Sequence, residues 1–371
     1  MSGTDTVRML RVYEQELARP RYISTWFETP PEAFHDSTEV EYDIIRNGQD
    51  IAVPVPDAEA GPRYMEETSS VNKTWTPIVF KYESRISAGQ VKKRLAGRDP
   101  YEDPQAGAAL TQLVFRRARK LENMIRDAVE ELCAQVVTTG TITAKDDANV
   151  TISEYNFFPL DATGTLASGD LIVTTGTEWA DAGTTGTPIS DLTTLSNNMR
   201  DRGYNPTQIV MGDTAWTKFL ANTQVQNQAN FRRINLIEVD PTPAPEGAVR
   251  QGRFAINNYA YEIFTYNGTY KKPYGGTITP YIAADKVVLR APTPGGLVLT
   301  FGEIDYFEQA RDARAIPYLP RMVFASPGSK FGMTMYAYFA PDSQTLVISC
   351  GTRVLPIPKA IDSFACIDVV P

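Results

Sequence analysis

The chain has 371 residues, of which 42% are hydrophobic and 22% are charged, a composition that suits an ordered protein and excludes a disordered one. This length is sufficient for two compact domains, or for one core with long extensions. The net charge of -8 lacks the surplus of Lys and Arg with which proteins hold nucleic acid through its phosphates, so tight non-specific DNA binding is excluded.

The cysteine and hydropathy patterns predict a cytoplasmic protein. Cys133, Cys350 and Cys366 form no CxxC pair, and we expect them to be free thiols in a reducing compartment. Residues 1–15 contain no apolar core typical of a signal peptide, and no apolar run approaches the length of a membrane span. We therefore expect no membrane partner.

The first hundred residues are predicted to extend from the body of the protein. In residues 1–50, short apolar pieces alternate with polar, proline-containing stretches, and such an arm needs a neighbour on which to lie. Residues 51–101 are rich in Pro and Gly but contain a strand-like run at 73–85. We interpret 51–101 as a long β-hairpin-like loop, and a loop of this length indicates an external partner.

A long amphipathic helix is the clearest element of the sequence. Asp103 can cap it, Pro104 can occupy its first position and Gly140 can end it, which predicts a length of about 50 Å. Apolar residues recur with the three-and-four spacing of one helix face: Leu110, Leu113, Val114, Ala118, Leu121, Ile125, Ala128, Val129, Leu132, Cys133 and Val136. Basic residues at 116–120 precede mostly acidic ones at 122–131. This order leaves two interpretations open, a basic half that meets an acidic surface of a neighbouring copy or a solvated helix face.

Short helices and strands follow this long helix. Residues 141–187 predict turns with strands near 150–158 and 171–174. A second helix is predicted over 188–202 with Thr187 as its cap, then a buried strand at 208–211, then a third helix that Asp213 caps. The side chains expected to face inward are Ile189, Leu192, Leu195, Met199, Ala215, Trp216, Phe219 and Leu220.

The remainder of the chain is predicted to consist mainly of strands and turns. Strands are expected at 254–266, 286–289, 297–301, 331–339 and 346–350, and Asn267-Gly268 is a hairpin-turn signal. The alternation of helix, strand and helix before this region indicates an α+β or α/β lobe.

No catalytic motif is apparent in the sequence. The one histidine, His35, lies in the predicted arm, where it would be a poor general base, and a site with two histidine ligands is impossible. The acid-rich pieces at 99–103 and 303–312 match no sugar cleft, and Asp146-Asp147 matches no Ca²⁺ loop. We therefore predict no catalytic, cofactor-binding or metal site, and no cofactor.

Several short motifs occur in a defined order from about residue 20 onwards. They are Trp26-Phe27 with Phe34 and STEV at 37–40; RLAGRDPYEDP at 94–104; GTEW at 176–179 with PISDL at 188–192; GYNP at 203–206, IVMG at 209–212 and Ala215-Trp216, with Leu220 and Val225 beyond; and Tyr281-Ile282 with DKVVL at 285–289. Their order resembles that of the major capsid proteins of tailed bacteriophages, and in particular the lambda-type major capsid protein E family.

The resemblance implies an α+β, HK97-like phage capsid fold with five parts. These are an N-terminal arm (1–50), an extended E-loop (51–101), a spine helix with the strands of a peripheral P domain (102–187), an axial A domain (188–325), and C-terminal strands that return to the P/A body (326–371). In this family the arm and the E-loop lap over neighbouring subunits.

The function that the resemblance implies is structural, not enzymatic. A major capsid protein would self-assemble as hexamers and pentamers into the icosahedral head that encloses the phage genome, and it would be a virion component assembled in the bacterial cytoplasm. Its implied partners are other copies of itself, portal and scaffolding proteins, and packaged double-stranded DNA in loose, non-specific proximity; the family also allows a decoration protein. Two alternatives remain open, a nanocompartment shell protein of the same fold and a carbohydrate-active hydrolase.

Overall fold

The computed structural model describes most of the chain, and the structural statements below refer to these residues alone: 20–35, 39–45, 70–87, 89–90, 106–146, 150–158, 171–179, 186–231, 237–243, 247–256, 259–272, 276–304, 332–340 and 343–370. The helices in chain order are α1 (Ala106–Thr139), α2 (Pro188–Asp201), α3 (Asp213–Ala221) and α4 (Thr223–Phe231), with short 3-10 helices at Ile23–Trp26, Pro31–Ala33 and Ile361–Ser363. The strands are β1 (Val40–Ile45), β2 (Ser70–Trp75), β3 (Ile78–Ser87), β4 (Thr141–Lys145), β5 (Thr151–Asn156), β6 (Ile172–Thr174), β7 (Gln208–Met211), β8 (Ile237–Pro243), β9 (Ala248–Ile256), β10 (Tyr259–Tyr266), β11 (Thr269–Lys271), β12 (Ile278–Pro280), β13 (Lys286–Arg290), β14 (Leu297–Phe301), β15 (Met333–Ala340), β16 (Thr345–Pro358) and β17 (Phe364–Asp368).

Helix α1 confirms the prediction of a long amphipathic helix. Its 34 residues rise about 51 Å at 1.5 Å per residue. The predicted apolar face is buried except at Leu110 and Ala128, which are half-buried. The helix ends at Gly140, as expected, where φ is 66° and the backbone N–H donates to the Val136 carbonyl at 2.8 Å. The predicted helix start at Asp103 and Pro104 lies outside the described residues.

A four-stranded antiparallel sheet packs on the first half of α1. The 14-residue strand β16 is at its centre, with β3 along one edge and β15 and then β14 along the other. The strand predicted over 73–85 is divided in two at Thr76-Pro77, because β2 pairs with β1 whereas β3 pairs with β16. Proline has no N–H to donate to a ladder, which suits this change of partner.

A mixed seven-stranded sheet packs on the second half of α1, in the order β6-β17-β13-β7-β10-β9-β8. β7 runs parallel to β10 and β6 parallel to β17, and the other neighbours are antiparallel. Apolar side chains of α2 and α3, among them Leu195, Met199 and Phe219, are buried in the same core as this sheet. The fold class is therefore α+β, as predicted.

Helix α1 contributes to two hydrophobic cores. Its first half, represented by Val114, Ala118 and Ile125, packs with side chains of β3, β15 and β16. Its second half, represented by Val129 and Val136, belongs to the larger core that contains the seven-stranded sheet. One helix thus connects the two sheets.

Three local predictions were wrong. Asn267-Gly268 does not close a hairpin, because β10 already has β7 and β9 as neighbours and β11 pairs with β12. The hairpin in this region instead joins β9 to β10. Leu220, expected to face inward, is 41% exposed, and Asp213 is the first residue of α3, whose N-cap is Gly212. Thr187 does occupy the predicted N-cap position of α2, although its side chain makes no cap hydrogen bond.

Candidate assembly surfaces

A carboxylate with no exposed surface holds the N-terminal segment against α1. The Glu130 side chain accepts hydrogen bonds from the backbone N–H groups of Ile23 at 2.8 Å and Ser24 at 2.7 Å, and from the Tyr266 hydroxyl at 2.8 Å. These two N–H groups belong to the first turn of the 3-10 helix Ile23–Trp26, where the helix itself offers no acceptor. A side chain of α1 therefore caps a helix that precedes it by more than a hundred residues, and charge-assisted bonds of this kind are among the stronger ones.

The Tyr266 hydroxyl lies between two acceptors, Glu130 at 2.8 Å and the Pro20 carbonyl at 3.0 Å. Burial, followed by the negative charge of Glu130, raises the pKa of Tyr266 far above its usual value. The hydroxyl consequently remains a neutral donor over the whole physiological pH range, and Tyr266 ties β10 to both α1 and the N-terminal segment.

An ion pair lies one helical turn away from Glu130. The Arg21 guanidinium donates to Asp127 at 3.0 Å from both Nε and Nη2, and Nη2 also donates to the Asn123 side chain at 3.0 Å. The two charged side chains are 19% and 11% exposed, so solvent screens them less than a surface pair. We call Asn123, Asp127 and Glu130 the polar face of α1.

The N-terminal segment then crosses to the four-stranded sheet. The Arg290 guanidinium lies 4.8 Å from the centroid of the Trp26 ring, a cation–π geometry. The backbone of Glu28 donates to Leu297 and accepts from Leu299, both at 2.9 Å, which continues the ladder of β14. The Phe34 and Phe301 rings stack at 5.3 Å.

Residues 20–35 therefore lie on their own subunit, with Tyr22, Ile23, Trp26 and Phe27 in the larger core. This corrects the expectation that the whole of residues 1–50 needs a neighbour on which to lie. The reason is that this stretch carries enough apolar surface to bury itself once α1 supplies partners for its backbone N–H groups.

Strands β1 and β2 form a separate two-stranded ribbon that no other described strand joins. Its base is fixed to the body: Val40 is fully buried, the Trp75 and Phe157 rings pack edge to face at 5.0 Å, and the Tyr155 hydroxyl donates to the Thr76 carbonyl. β1 falls within the predicted arm and β2 within the predicted E-loop, so the hairpin begins before residue 51. An extended ribbon with unpaired outer edges is a surface on which another chain can dock.

Several large apolar side chains are exposed on α1 and on the shorter strands. Val150 is 60% and Ile152 69% exposed at the β4–β5 hairpin, Ile278 is 71% exposed on β12, and Phe115 is 44% exposed on α1. Single exposed apolar residues are ordinary on a protein surface, and only a contiguous apolar patch would indicate a contact between subunits.

The residues that the sequence offered as possible catalytic or metal-binding groups make structural hydrogen bonds. The backbone N–H of His35 donates to the Phe301 carbonyl at 2.9 Å, and the Asp146 side chain accepts the Val150 N–H at 2.8 Å. Within the described ranges, no group of three or more His, Cys, Asp or Glu side chains could hold a metal ion. The acid-rich piece at 99–103, Asp147 and most of 303–312 lie outside the described residues.

The three cysteines are buried free thiols. Burial raises the pKa of Cys133 well above its usual value and raises the pKa of Cys350 and of Cys366 to about 12. They are therefore protonated near neutral pH, and a protonated thiol is a poor nucleophile and metal ligand. Separately, no helix in the described part of the chain is long and apolar enough to cross a membrane.

Sequence reasoning did not single out the residues that dock the N-terminal segment. Asn123, Asp127 and Glu130 follow one another at intervals of four and three, so they form one helix face. That spacing could have indicated a polar face with a dedicated partner, but nothing local to α1 identifies Arg21 or Tyr266 as the partner.

The fold thus combines a helix shared by two sheets, a separate two-stranded ribbon and an N-terminal segment fixed by a buried carboxylate. The comparison with known families identifies the class of protein: the family model described as phage major capsid protein E matches residues 5–331. The chain belongs to this family of phage capsid proteins, which are structural components of the virion and not enzymes. No curated protein sequence matches the chain significantly.

Solved structures share the HK97-like fold. A prophage capsid protein from E. coli CFT073 is 16% identical, with coverage of 95% of this chain and 93% of that chain and a TM-score of 0.58. A chain from Mycobacterium phage Bobi is 7% identical, with coverage of 97% and 94% and a TM-score of 0.48. The SrpI encapsulin from Synechococcus elongatus PCC 7942 is 11% identical, with coverage of 100% and 92% and a TM-score of 0.45.

Proposed function

We propose that this capsid protein assembles as hexamers and pentamers into the icosahedral head that encloses a phage genome, in the cytoplasm of a bacterial host. The observation that supports the proposal most directly is the β1–β2 ribbon, whose outer edges have no partner among the described strands. A ribbon of this kind gains stability by lying on a neighbouring subunit, and a closed shell supplies a neighbour to every copy.

The proposed parts of the subunit follow the observed sheets more closely than the sequence boundaries. We assign α1 and the sheet of β3, β14, β15 and β16 to the P domain, and the seven-stranded sheet with α2, α3 and α4 to the A domain. β14 then joins the P domain although it falls within 188–325, and β6 and β17 join the A domain. The E-loop is assigned to residues 40–75, with the arm before residue 20.

The proposed partners are those that a genome-enclosing shell requires. Portal and scaffolding proteins would direct assembly, and packaged double-stranded DNA would lie beside the inner wall without tight adhesion, in keeping with the net charge of -8. Many weak contacts per subunit would stabilise the shell collectively, because each added copy binds several neighbours at once.

Electron microscopy of the high-molecular-weight fraction tests this proposal, using cells that express the chain together with its neighbouring genes. We expect closed shells from the unaltered chain. A variant in which Asn-Gly replaces residues 46–69 retains the described strands β1 and β2 and should give folded subunits without shells. Small oligomers alone from the unaltered chain, or normal shells from the shortened one, would contradict the proposal. DNA inside the shells supports a phage head, whereas a protein cargo would identify a nanocompartment.

A further inference from the structure

The connection between β10 and β11 consists of Asn267 and Gly268, which close no hairpin. β10 ends at Tyr266, β11 begins at Thr269, and the two strands belong to different sheets. Asn267 is exposed, whereas Gly268 is buried. Asparagine followed by glycine is a reactive dipeptide, because glycine has no side chain to obstruct the approach of its nitrogen to the asparagine amide. The connection thus places an amide that water can reach beside a nitrogen that no side chain of its own residue shields.

Packing against Tyr266 requires glycine at position 268. A Cβ on this residue would lie 2.4 Å from Cζ and 2.5 Å from the hydroxyl oxygen of Tyr266. The ring is anchored, because its hydroxyl donates to Glu130 at 2.8 Å and to the Pro20 carbonyl at 3.0 Å. A larger residue at 268 would therefore overlap a ring that has little freedom to move. The reactive dipeptide is thus a consequence of how the core is packed.

The backbone of Gly268 is held at its carbonyl but not at its nitrogen. The carbonyl accepts the Tyr281 N–H at 2.9 Å, whereas the Gly268 N–H has no hydrogen-bond acceptor among the residues that the structure describes. Most buried backbone N–H groups donate to an acceptor, and breaking such a bond costs free energy. The Gly268 N–H has no such bond to break before it loses its proton, so its nitrogen can act as a nucleophile.

We propose that Asn267 is a site of spontaneous covalent modification, at which the side chain is converted through a cyclic succinimide to aspartate and isoaspartate. Hydroxide removes the Gly268 amide proton, and the nitrogen forms a bond to Cγ of Asn267. The bond between Cγ and the side-chain nitrogen breaks, and this nitrogen takes a proton from water and leaves as ammonia. Water then opens the ring. Attack at Cγ restores the original backbone with aspartate, whereas attack at the main-chain carbonyl carbon leaves the chain running through Cγ as isoaspartate.

The two products differ in their effect on the surrounding structure. Both add a negative charge at an exposed position, where water solvates it. Isoaspartate also lengthens the backbone by one carbon atom directly before Gly268, which lies against the Tyr266 ring. Because the Tyr266 hydroxyl contacts both Glu130 and the Pro20 carbonyl, this displacement would weaken the attachment of the N-terminal segment. The modification goes beyond the proposed shell function and does not depend on it.

Peptide mass spectrometry on the purified full-length chain tests the modification. Trypsin cleavage after Arg253 and Lys271 leaves Asn267 on the same peptide as Asn257 and Asn258, which are followed by residues with side chains and serve as internal controls. At about pH 8, Asn267 should deamidate about tenfold faster than either control, and near pH 6 its rate should fall about a hundredfold with the hydroxide concentration. Asn267→Gln, which would have to form a larger ring, should remain unmodified. An Asn267 rate no faster than that of the controls, or modification only after unfolding in urea, would overturn the proposal.

Amide hydrogen exchange tests the effect of isoaspartate on the N-terminal segment. In the aged chain, the Ile23 and Ser24 amides, which donate to Glu130, should exchange about fivefold faster in a fraction of molecules equal to the isoaspartate content. Asn267→Asp adds the same charge without lengthening the backbone, and Asn267→Gln aged identically forms no succinimide, so both are matched controls that should keep slow exchange. Slow exchange in the aged chain as well, despite measured isoaspartate, would contradict the link between Gly268 and the N-terminal segment.

Discussion

At the scale of single residues, Glu130 shows how a buried charge can be satisfied without a cation. Three donors from two distant parts of the chain surround its carboxylate, so removing the carboxylate leaves all three without this acceptor. Desolvated donors that lose their acceptor cost more than the hydrogen bond itself contributed.

We therefore expect Glu130→Ala to lower the free energy of unfolding by about 3 kcal/mol. Tyr266→Phe removes one donor and leaves the carboxylate with two, and it should cost about 1 kcal/mol. Urea denaturation of the two variants provides the comparison. If Glu130→Ala proved no more costly than Tyr266→Phe, the carboxylate would not be what holds the N-terminal segment.

Gly140 and Gly295 form a matched pair for separating backbone strain from crowding. Both have φ of 66°, but a Cβ at Gly140 would lie 2.1 Å from the Phe158 ring, whereas one at Gly295 would meet nothing within 4 Å. Gly295→Ala should cost about 1 kcal/mol through backbone strain, and Gly140→Ala about 2 kcal/mol more through overlap. Equal losses of unfolding free energy in the two variants would mean that Phe158 moves aside freely.

The sequence was informative about Gly140 and uninformative about Glu130 for a physical reason. Helix termination is local, since a residue that follows a long apolar periodicity and tolerates positive φ has few other roles. The buried carboxylate of Glu130 receives its hydrogen bonds from Ile23, Ser24 and Tyr266. No local pattern in α1 identifies these donors.

At the scale of elements, helix α1 is stabilised on one face by two different sheets. Leu121, 5% exposed, lies in the core beneath the four-stranded sheet, whereas Phe115, 44% exposed, points away from that core. Their substitution by the same residue therefore tests which face of the helix is buried.

Leu121→Glu should lower the free energy of unfolding by more than about 3 kcal/mol and yield insoluble protein, because a carboxylate would be left in an apolar core. Phe115→Glu should change it by less than about 1 kcal/mol. Soluble yield and thermal unfolding of the two variants check this. A soluble Leu121→Glu protein of normal stability would mean that the buried face has been assigned incorrectly.

Elements were predictable where the pattern of a single segment decides the structure. The periodicity of α1 predicted the helix, and the apolar runs of β7, β13 and β14 predicted the strands. Helix α4 was missed because its sequence, TQVQNQANF, is polar, and within 223–227 Val225 alone is buried. Asn267-Gly268 misled because turn chemistry describes only the turn, and whether two strands pair depends on what occupies their edges.

At the scale of the whole molecule, residues 20–35 complete the subunit, and we expect residues 1–19 to serve contacts with other subunits. Deleting residues 1–19 leaves Arg21, Ile23 and Ser24 in place on α1. The truncated subunit should retain its free energy of unfolding to within about 1 kcal/mol, since the described contacts of residues 20–35 with α1 and β14 remain, yet form few shells. Unfolding measurements and shell counts by microscopy test both parts, and normal shells would remove the assembly role of these residues.

The position of β16 has a consequence for the order of events during synthesis. This strand is the centre of one sheet and pairs with β3 from a much earlier part of the chain, while β17, a little further on, enters the other sheet between β6 and β13. Neither sheet can close until the ribosome has translated beyond residue 358, and pairing over so long a separation is slow. An incomplete nascent chain therefore cannot present a finished subunit surface, so a growing shell would admit only chains whose synthesis has passed this point.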